Sequence, residues 1–218
     1  MKNITISGLY VVTDSALSRG RPLAEVVEMA IQGGARVVQY REKHLSEEGM
    51  IQEARMLRRV SQEYGVPLII NDNLQVVEAV DADGVHLGQK DTPLAQARRI
   101  LGAGKIIGIS AGNLQEAIGA WRGGADYLGV GPIYVNRTVT AVKPDVGEAT
   151  GLELISQVKK AVGIPVIAIG GINRENAARV LRAGADGIAV AWAVFASPDP
   201  RKAAEQLATI CEQEGKNS

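Results

Sequence analysis

Short runs of β-branched and aliphatic residues recur along this chain, and a stretch with helical spacing follows each one. No other feature limits the possible folds as tightly. The runs are Leu9-Tyr10-Val11-Val12-Thr13, Val37-Val38-Gln39-Tyr40-Arg41, Leu68-Ile69-Ile70-Asn71, Val85-His86-Leu87, Ile106-Ile107-Gly108-Ile109, Tyr127-Leu128-Gly129-Val130, Val166-Ile167-Ala168-Ile169 and Ile188-Ala189-Val190-Ala191, eight candidate strands in all. Between them apolar residues fall three and four apart, as in Leu23, Val26, Val27, Ala30 and Ile31, or Ile51, Ala54, Leu57 and Val60, the spacing of one face of a helix. The junctions repeat one phrase: Gly33-Gly34-Ala35, Asp81-Ala82-Asp83-Gly84, Gly123-Gly124-Ala125-Asp126 and Ala183-Gly184-Ala185-Asp186-Gly187. Each sits where a helix should end at a cap and return through a tight loop to a strand.

Strand and helix alternating eight times over about 210 residues is the pattern of a (β/α)8 TIM barrel. The last helix would run from Pro200 to about Glu214. A doubly wound open sheet is the competing α/β arrangement. The barrel is preferred because no long linker breaks the alternation and the count reaches eight. At 218 residues the whole chain, 1–218, reads as one domain. Its longest stretch without periodicity is 135–150, and structureless segments beyond about 12 to 15 residues are usually functional, so this is a candidate mobile active-site loop.

Composition excludes several function classes. Lys and Arg total 24 and Asp and Glu total 24, so no overall positive field exists to hold nucleic acid or an anionic membrane. Any anion must be bound locally. Cys211 is the one cysteine, which rules out an internal disulfide and a multi-cysteine metal site. No apolar run approaches the roughly 18 residues of a membrane span, and Met1-Lys2-Asn3-Ile4-Thr5 leads directly into a strand-like segment. The expectation is a cytoplasmic protein with small-molecule ligands. A homo-oligomer is left open.

In a barrel the site lies at the C-terminal ends of the strands. The second strand ends Gln39-Tyr40-Arg41-Glu42-Lys43, and alternation puts Gln39, Arg41 and Lys43 on one face. With Val38 and Tyr40 packed against the outer helices, an amide and two cations point into the mouth. Burying those cations is costly unless an anion joins them; an ordinary ion pair with Glu42 is the alternative. The third strand ends Asn71-Asp72, and Gly88-Gln89-Lys90-Asp91 follows the fourth. Adjacent strands lie about 4.8 Å apart, so Asp72 and Asp91 can converge on one ion. Two carboxylates completed by water and phosphate oxygens suit Mg²⁺. Asp91 could instead cap the helix starting near Pro93. His86 shares the parity of Gly88 and could face the interior, or it could equally be a satisfied core residue. Gly129-Val130-Gly131-Pro132 and Gly170-Gly171-Ile172-Asn173 follow the sixth and seventh strands, where barrels often bind phosphate on backbone N–H groups. Asn173 reads as a helix N-cap. A tight turn needing positive φ accounts equally well for the paired glycines.

Taken in order, Leu9-Tyr10-Val11-Val12-Thr13-Asp14, Gln39 to Lys43, Asn71-Asp72, Ala82 through Asp91, Gly108-Ile109-Ser110, Ala125 through Tyr134 and Ala168-Ile169-Gly170-Gly171-Ile172 strongly resemble the thiamine-phosphate synthase family, over essentially the whole chain. The thiazole tautomerases are close relatives. The resemblance implies a transferase of thiamine biosynthesis that joins hydroxymethylpyrimidine diphosphate to hydroxyethylthiazole phosphate and releases pyrophosphate. It implies that Gln39, Arg41, Lys43 and Asn71 bind the pyrimidine diphosphate and that Asp72 and Asp91 hold Mg²⁺. Ser110 would touch the diphosphate near the reacting carbon, Arg41 and Lys43 would assist catalysis, and Gly171 with the backbone around Ala191 and Trp192 would meet the thiazole phosphate.

The sequence departs from the family on one side of this site. After Tyr134 the family continues with proline, threonine, any residue, threonine and a diphosphate-binding lysine. Here the chain reads Val135-Asn136-Arg137-Thr138-Val139-Thr140. Thr138 survives as a substrate-binding position and Val139 replaces the lysine, leaving Arg137 or Lys143 to supply its charge. Trp192 stands where the family has a small residue, and its indole would narrow the thiazole pocket. Two alternatives follow: a divergent paralogue that binds phosphorylated ligands without synthesis, favoured by Val139 and Trp192, and a thiazole tautomerase. The tautomerases lack the metal pair and carry a catalytic histidine where this chain has Gly112.

Overall fold

The computed structural model describes residues 6–134 and 149–215. Eight parallel strands close into a barrel in chain order, each hydrogen-bonded to the next and the last to the first. They are β1 (Gly8–Val12), β2 (Val37–Tyr40), β3 (Leu68–Asn71), β4 (Gly84–Leu87), β5 (Ile106–Ala111), β6 (Tyr127–Val130), β7 (Val166–Ile169) and β8 (Gly187–Val190). The open-sheet alternative is thereby excluded. Helices α1 (Leu23–Gln32), α2 (Glu47–Tyr64), α3 (Leu74–Val80), α4 (Leu94–Leu101), α5 (Leu114–Arg122), α6 (Gly151–Ala161) and α7 (Ala177–Arg182) surround it, with a short α8 (Trp192–Phe195) and a closing α9 (Pro200–Gly215) after β8. Strand ends differ from the sequence reading by a residue or two, as at β5, which continues to Ala111, and β8, which stops at Val190.

Alternation along each strand sorts residues into two apolar layers. Val38, Tyr40, Ile70, Val85, Leu87, Ile107 and Leu128 pack outward against the helices in the main core. A smaller cluster, including Tyr10, Val12, Val37, Ile69, Tyr127 and Ile167, fills the barrel interior. Each fully buried aliphatic side chain contributes roughly 1.5–3 kcal/mol, so the outer layer supplies most of the stability and the interior is left to other uses.

The repeated junction phrase has a structural purpose beyond its glycine. Its aspartate staples the entry of one strand to the start of the strand before it: Asp83 accepts from the Leu68 N–H at 2.8 Å, Asp126 from Ile107 at 2.7 Å and Asp186 from Val166 at 2.8 Å. A basic residue of an outer helix holds each one, Arg58 to Asp83, Arg98 to Asp126 and Lys159 to Asp186. These staples sit at the end of the barrel opposite the candidate site and free the other end for chemistry.

Candidate active site

Strand β2 delivers its residues as alternation requires. Tyr40 faces outward and donates to Glu53 of α2 at 2.8 Å, while Gln39 turns inward and is 5% exposed. Just beyond the strand, Arg41 is pinned by Thr13, whose hydroxyl accepts the Arg41 N–H at 2.9 Å. Thr13 itself is 1% exposed, a hydroxyl standing in for the strand ladder where β1 and β2 part. Glu42 accepts from the Ser15 hydroxyl and from the Lys43 and His44 N–H groups, which together hold its carboxyl below the ordinary glutamate value although partial burial pushes the other way. The Glu42 carboxylate therefore organises the turn after β2.

Asp72 and Asp91 do converge. Burial first, then a hydrogen bond and repulsion from Asp91, push the Asp72 carboxyl up to about 7, with Lys43 and Arg41 pulling it down. Asn71 donates to the Asp72 carboxylate at 2.5 Å, and the Asp72 N–H donates to the His86 carbonyl at 2.9 Å. Asp72 adopts φ +63°, a left-handed conformation uncommon outside glycine, asparagine and aspartate and often found where function dictates the backbone. Asp91 does not cap the helix near Pro93: that helix has Pro93 at its N-cap without a side-chain bond, and the Asp91 carboxylate takes the Gly88 N–H at 2.7 Å. The turn after β4 is thus folded around Asp91, which aims it at Asp72. Among the described residues no group of three or more His, Cys, Asp or Glu side chains could hold a metal. Two carboxylates this close tolerate each other only with a proton or a cation between them, so the pair fits a divalent ion whose other positions are filled by water and phosphate.

Ser110, near the end of β5, is partly exposed, and its carbonyl accepts from Gln89 at 2.6 Å. Behind it lies an arrangement that the sequence reading missed. His86 is buried and faces the barrel interior, its Nε2 2.9 Å from the Ser110 hydroxyl and its Nδ1 2.9 Å from the Tyr127 hydroxyl. Tyr127 meets Tyr10 at 2.8 Å, and Gln39 donates to Tyr10 at 2.9 Å. Burial holds the His86 ring neutral, its pKa lowered to about 4, and raises both tyrosine hydroxyls above their usual range. One signal for this existed: aromatics make up only 4% of the chain, yet Tyr10 and Tyr127 share the inward parity of their strands.

The far side of the mouth is built from backbone. Gly170 and Gly171 adopt φ +103° and +63°, so the tight-turn reading holds for both. The Asn173 carboxamide accepts the Glu175 and Asn176 N–H groups at 2.9 and 3.3 Å; it caps a turn, and the helix proper begins at Ala177 with Asn176 as its N-cap. Ala191 is the N-cap of α8, and Trp192 opens that helix with 60% of its surface exposed. The chain returning at Thr150 is tied to the chain that leaves, Thr150 N–H to the Pro132 carbonyl at 2.8 Å. Thr138, Val139, Arg137 and Lys143, with the rest of 135–148, lie outside the described residues. Gly112, the position of the tautomerase histidine, donates its N–H to Glu116 at 2.7 Å. No helix among the described residues is long and apolar enough to cross a membrane.

Comparison with known proteins agrees along the whole barrel. The sequence model of the thiamine monophosphate synthase family matches residues 9–194. A thiamine-phosphate synthase of Chloroflexus aurantiacus is 56% identical over 93% of this chain and 91% of its own length. One from Clostridium novyi is 48% identical over 93% of this chain and 97% of its own. The solved thiamine phosphate pyrophosphorylase from Pyrococcus furiosus superposes with a TM-score of 0.85 at 40% identity, covering 95% of this chain and 96% of that one.

Proposed function

Because this chain belongs to the thiamine monophosphate synthase family, we propose a division of labour around its barrel mouth for that family's reaction. The activity is thiamine-phosphate synthesis, a transfer that condenses two substrates and releases pyrophosphate. The substrates are hydroxymethylpyrimidine diphosphate and hydroxyethylthiazole phosphate. The bond between the pyrimidine methylene carbon and the diphosphate oxygen breaks, the electron pair leaving with pyrophosphate, and the thiazole nitrogen forms the new bond to that carbon. The electron-rich aminopyrimidine carries the positive charge that develops at the methylene.

On this reading Gln39 and Asn71 orient the pyrimidine diphosphate. Arg41 and Lys43 neutralise the charge that grows on the departing pyrophosphate, a preorganised contact of the kind whose removal costs about 10²-fold or more in rate. Ser110 meets the diphosphate beside the reacting carbon. Asp72 and Asp91 hold Mg²⁺, which when bound supplies positive charge at the leaving oxygens. Gly171 and the backbone at Ala191 and Trp192 receive the thiazole phosphate, and Thr138 contributes a contact from the segment after Tyr134. The observation that carries this reading is the convergence of two cations and two carboxylates at one barrel end, with Lys43, Arg41 and Asp91 all acting on Asp72.

Purified protein incubated with both substrates and Mg²⁺ tests it. Pyrophosphate and thiamine phosphate should appear in equal amounts, and neither should form when one substrate is left out. Pyrophosphate release without the thiazole substrate would mark a hydrolase. Tight calorimetric binding of the pyrimidine diphosphate with no turnover would favour the divergent paralogue.

A further inference from the structure

The buried chain from Gln39 through Tyr10, Tyr127 and His86 to Ser110 crosses the barrel interior and joins two residues of the proposed site. Its members are nearly sealed from solvent: Gln39 5%, Tyr10 1%, Tyr127 1% and His86 9% exposed. Room has been made for it. A Cβ on Gly108 would lie 2.1 Å from the Tyr127 ring carbon Cζ, and one on Gly129 would lie 2.8 Å from His86 Cε1. Neither glycine adopts a positive φ, so what they give up is a side chain, to let two rings fit.

Hydrogen-bond accounting gives this chain a direction. Each hydroxyl has one proton to donate, and an amide nitrogen can only donate. Gln39 Nε2 donates to the Tyr10 oxygen, so the Tyr10 proton is free for Tyr127. The Tyr127 proton then goes to His86 Nδ1, which as an acceptor leaves the imidazole proton on Nε2. That proton is donated to Ser110 Oγ. The serine oxygen is occupied as an acceptor, and its own proton has no interior partner to serve. We propose that Tyr10, Tyr127 and His86 are positioning residues which fix the polarity of this chain so that the Ser110 hydroxyl faces the mouth as a hydrogen-bond donor, aimed at a phosphate oxygen of the bound diphosphate. The Ser110 outcome does not depend on the charge of His86, since a doubly protonated ring would donate from Nε2 as well. The choice of diphosphate as the acceptor rests on the functional reading above; the polarity itself does not.

The decisive variant is Gln39→Glu, which keeps the shape and reverses the end of the chain. At a pH high enough to ionise a glutamate at this buried position, about 9 or above, the carboxylate can only accept, so Tyr10 must donate to it, Tyr127 to Tyr10, and His86 Nδ1–H to Tyr127. The bare Nε2 then takes the Ser110 proton away from the mouth. Proton–nitrogen correlation spectra of ¹⁵N-histidine-labelled protein, recorded without substrates, read this directly: His86 should carry its proton on Nε2 in the parent and on Nδ1 in Gln39→Glu. Should the glutamate variant not fold, Tyr127→Phe removes the donor to Nδ1, and His86 should then show both tautomers. Turnover should follow. Removing a preorganised donor outright costs about 10²-fold, and a serine free to point either way keeps part of that, so Tyr127→Phe should lower kcat about tenfold with KM for the pyrimidine diphosphate changed less than about twofold. A His86 tautomer that stays on Nε2 in both variants overturns the polarity, whatever the activity. A tautomer that switches while kcat holds overturns the role of Ser110 as donor. Absence of any synthesis in the parent, with the tautomer switching as described, would instead fall on the functional reading alone.

Discussion

The two arcs of the barrel mouth are built on different principles. From β1 to β5 the site consists of side chains that touch one another, with Tyr127 reaching inward from β6 to join them: Asn71 holds Asp72, Asp72 is hydrogen-bonded to Asp91, and Gln39 reaches Ser110 through three buried rings. Beyond β6 the described residues build it from turns, with two glycines at positive φ and a helix opening on an exposed indole. Side-chain sites demand particular residue types at particular parities, so few substitutions are neutral there. A backbone site demands only a conformation and space, so the same contact survives many sequences. The two departures that the sequence suggests, Val139 and Trp192, both come after β6 in the chain, and Val139 lies outside the described residues.

The largest effect that would break this contrast lies in the carboxylate pair. Asp72→Asn and Asp91→Asn, which keep the left-handed backbone at Asp72 and most of the Gly88 contact, should each lower kcat/KM about 10³-fold, roughly 4 kcal/mol, measured at saturating Mg²⁺. Thermal stability should hold or rise, because each change relieves the repulsion that raises the Asp72 carboxyl. Turnover within threefold of the parent in either variant would place the metal elsewhere and remove the main distinction between the arcs.

A second difference concerns pH, since the half-buried Asp72 and the buried His86 both belong to the first arc. His86 titrates near 6.5 when unfolded and about 4 in the fold. Between those values the unfolded chain binds the extra proton, so this contribution is intact above pH 6.5, falls as pH drops, and is fully lost below about 4, a total of roughly 3 kcal/mol. Asp72 runs the other way. Its raised pKa means that the folded state holds a proton the unfolded state has released, so its contribution weakens as pH rises from about 4 to 7. The two offset in the parent. Replacing His86 with Gln should leave only the Asp72 slope, and chemical denaturation at several pH values would show the variant gaining on the parent as pH falls. Parallel curves would mean that the ring is not held neutral.

What could be read from the sequence follows the same divide. The strand–helix alternation was visible because each strand packs against the outer helices through Val, Ile and Leu at fixed parity, and closure in order followed from the count. Gln39, Arg41, Asp72 and Asp91 were visible because charged and amide groups at strand ends have few other reasons to be there. Tyr10 and Tyr127 were not singled out, since an inward aromatic in one strand looks like core until its partner across the barrel is known; that pairing joins residues 117 apart. Asp91 was ambiguous because Asp-x-Pro is also helix-cap chemistry, and only the fold shows that its carboxylate is spent on the Gly88 N–H. The junction aspartates read as punctuation because their staple partners, such as Ile107 and Arg98 for Asp126, are distant in sequence.

The smallest expected effect is at Trp192, and it sharpens the contrast from the other side. The sequence suggests that this indole narrows the thiazole-phosphate pocket, but 60% of it is exposed at the first turn of α8. A ring that far out of the core has space to turn, and moving it off its preferred rotamer costs on the order of 0.5–1.5 kcal/mol. That figure bounds the penalty it can impose on a ligand binding to the backbone beneath. Trp192→Ser should therefore lower KM for the thiazole phosphate about tenfold at most, leave kcat and KM for the pyrimidine diphosphate unchanged, and alter stability by less than about 0.5 kcal/mol, as surface substitutions usually do. Steady-state kinetics with each substrate varied in turn separates these quantities. A fall in KM well beyond tenfold would show that the indole is a wall of the pocket. The second arc would then depend on a particular side chain after all, as the first one does.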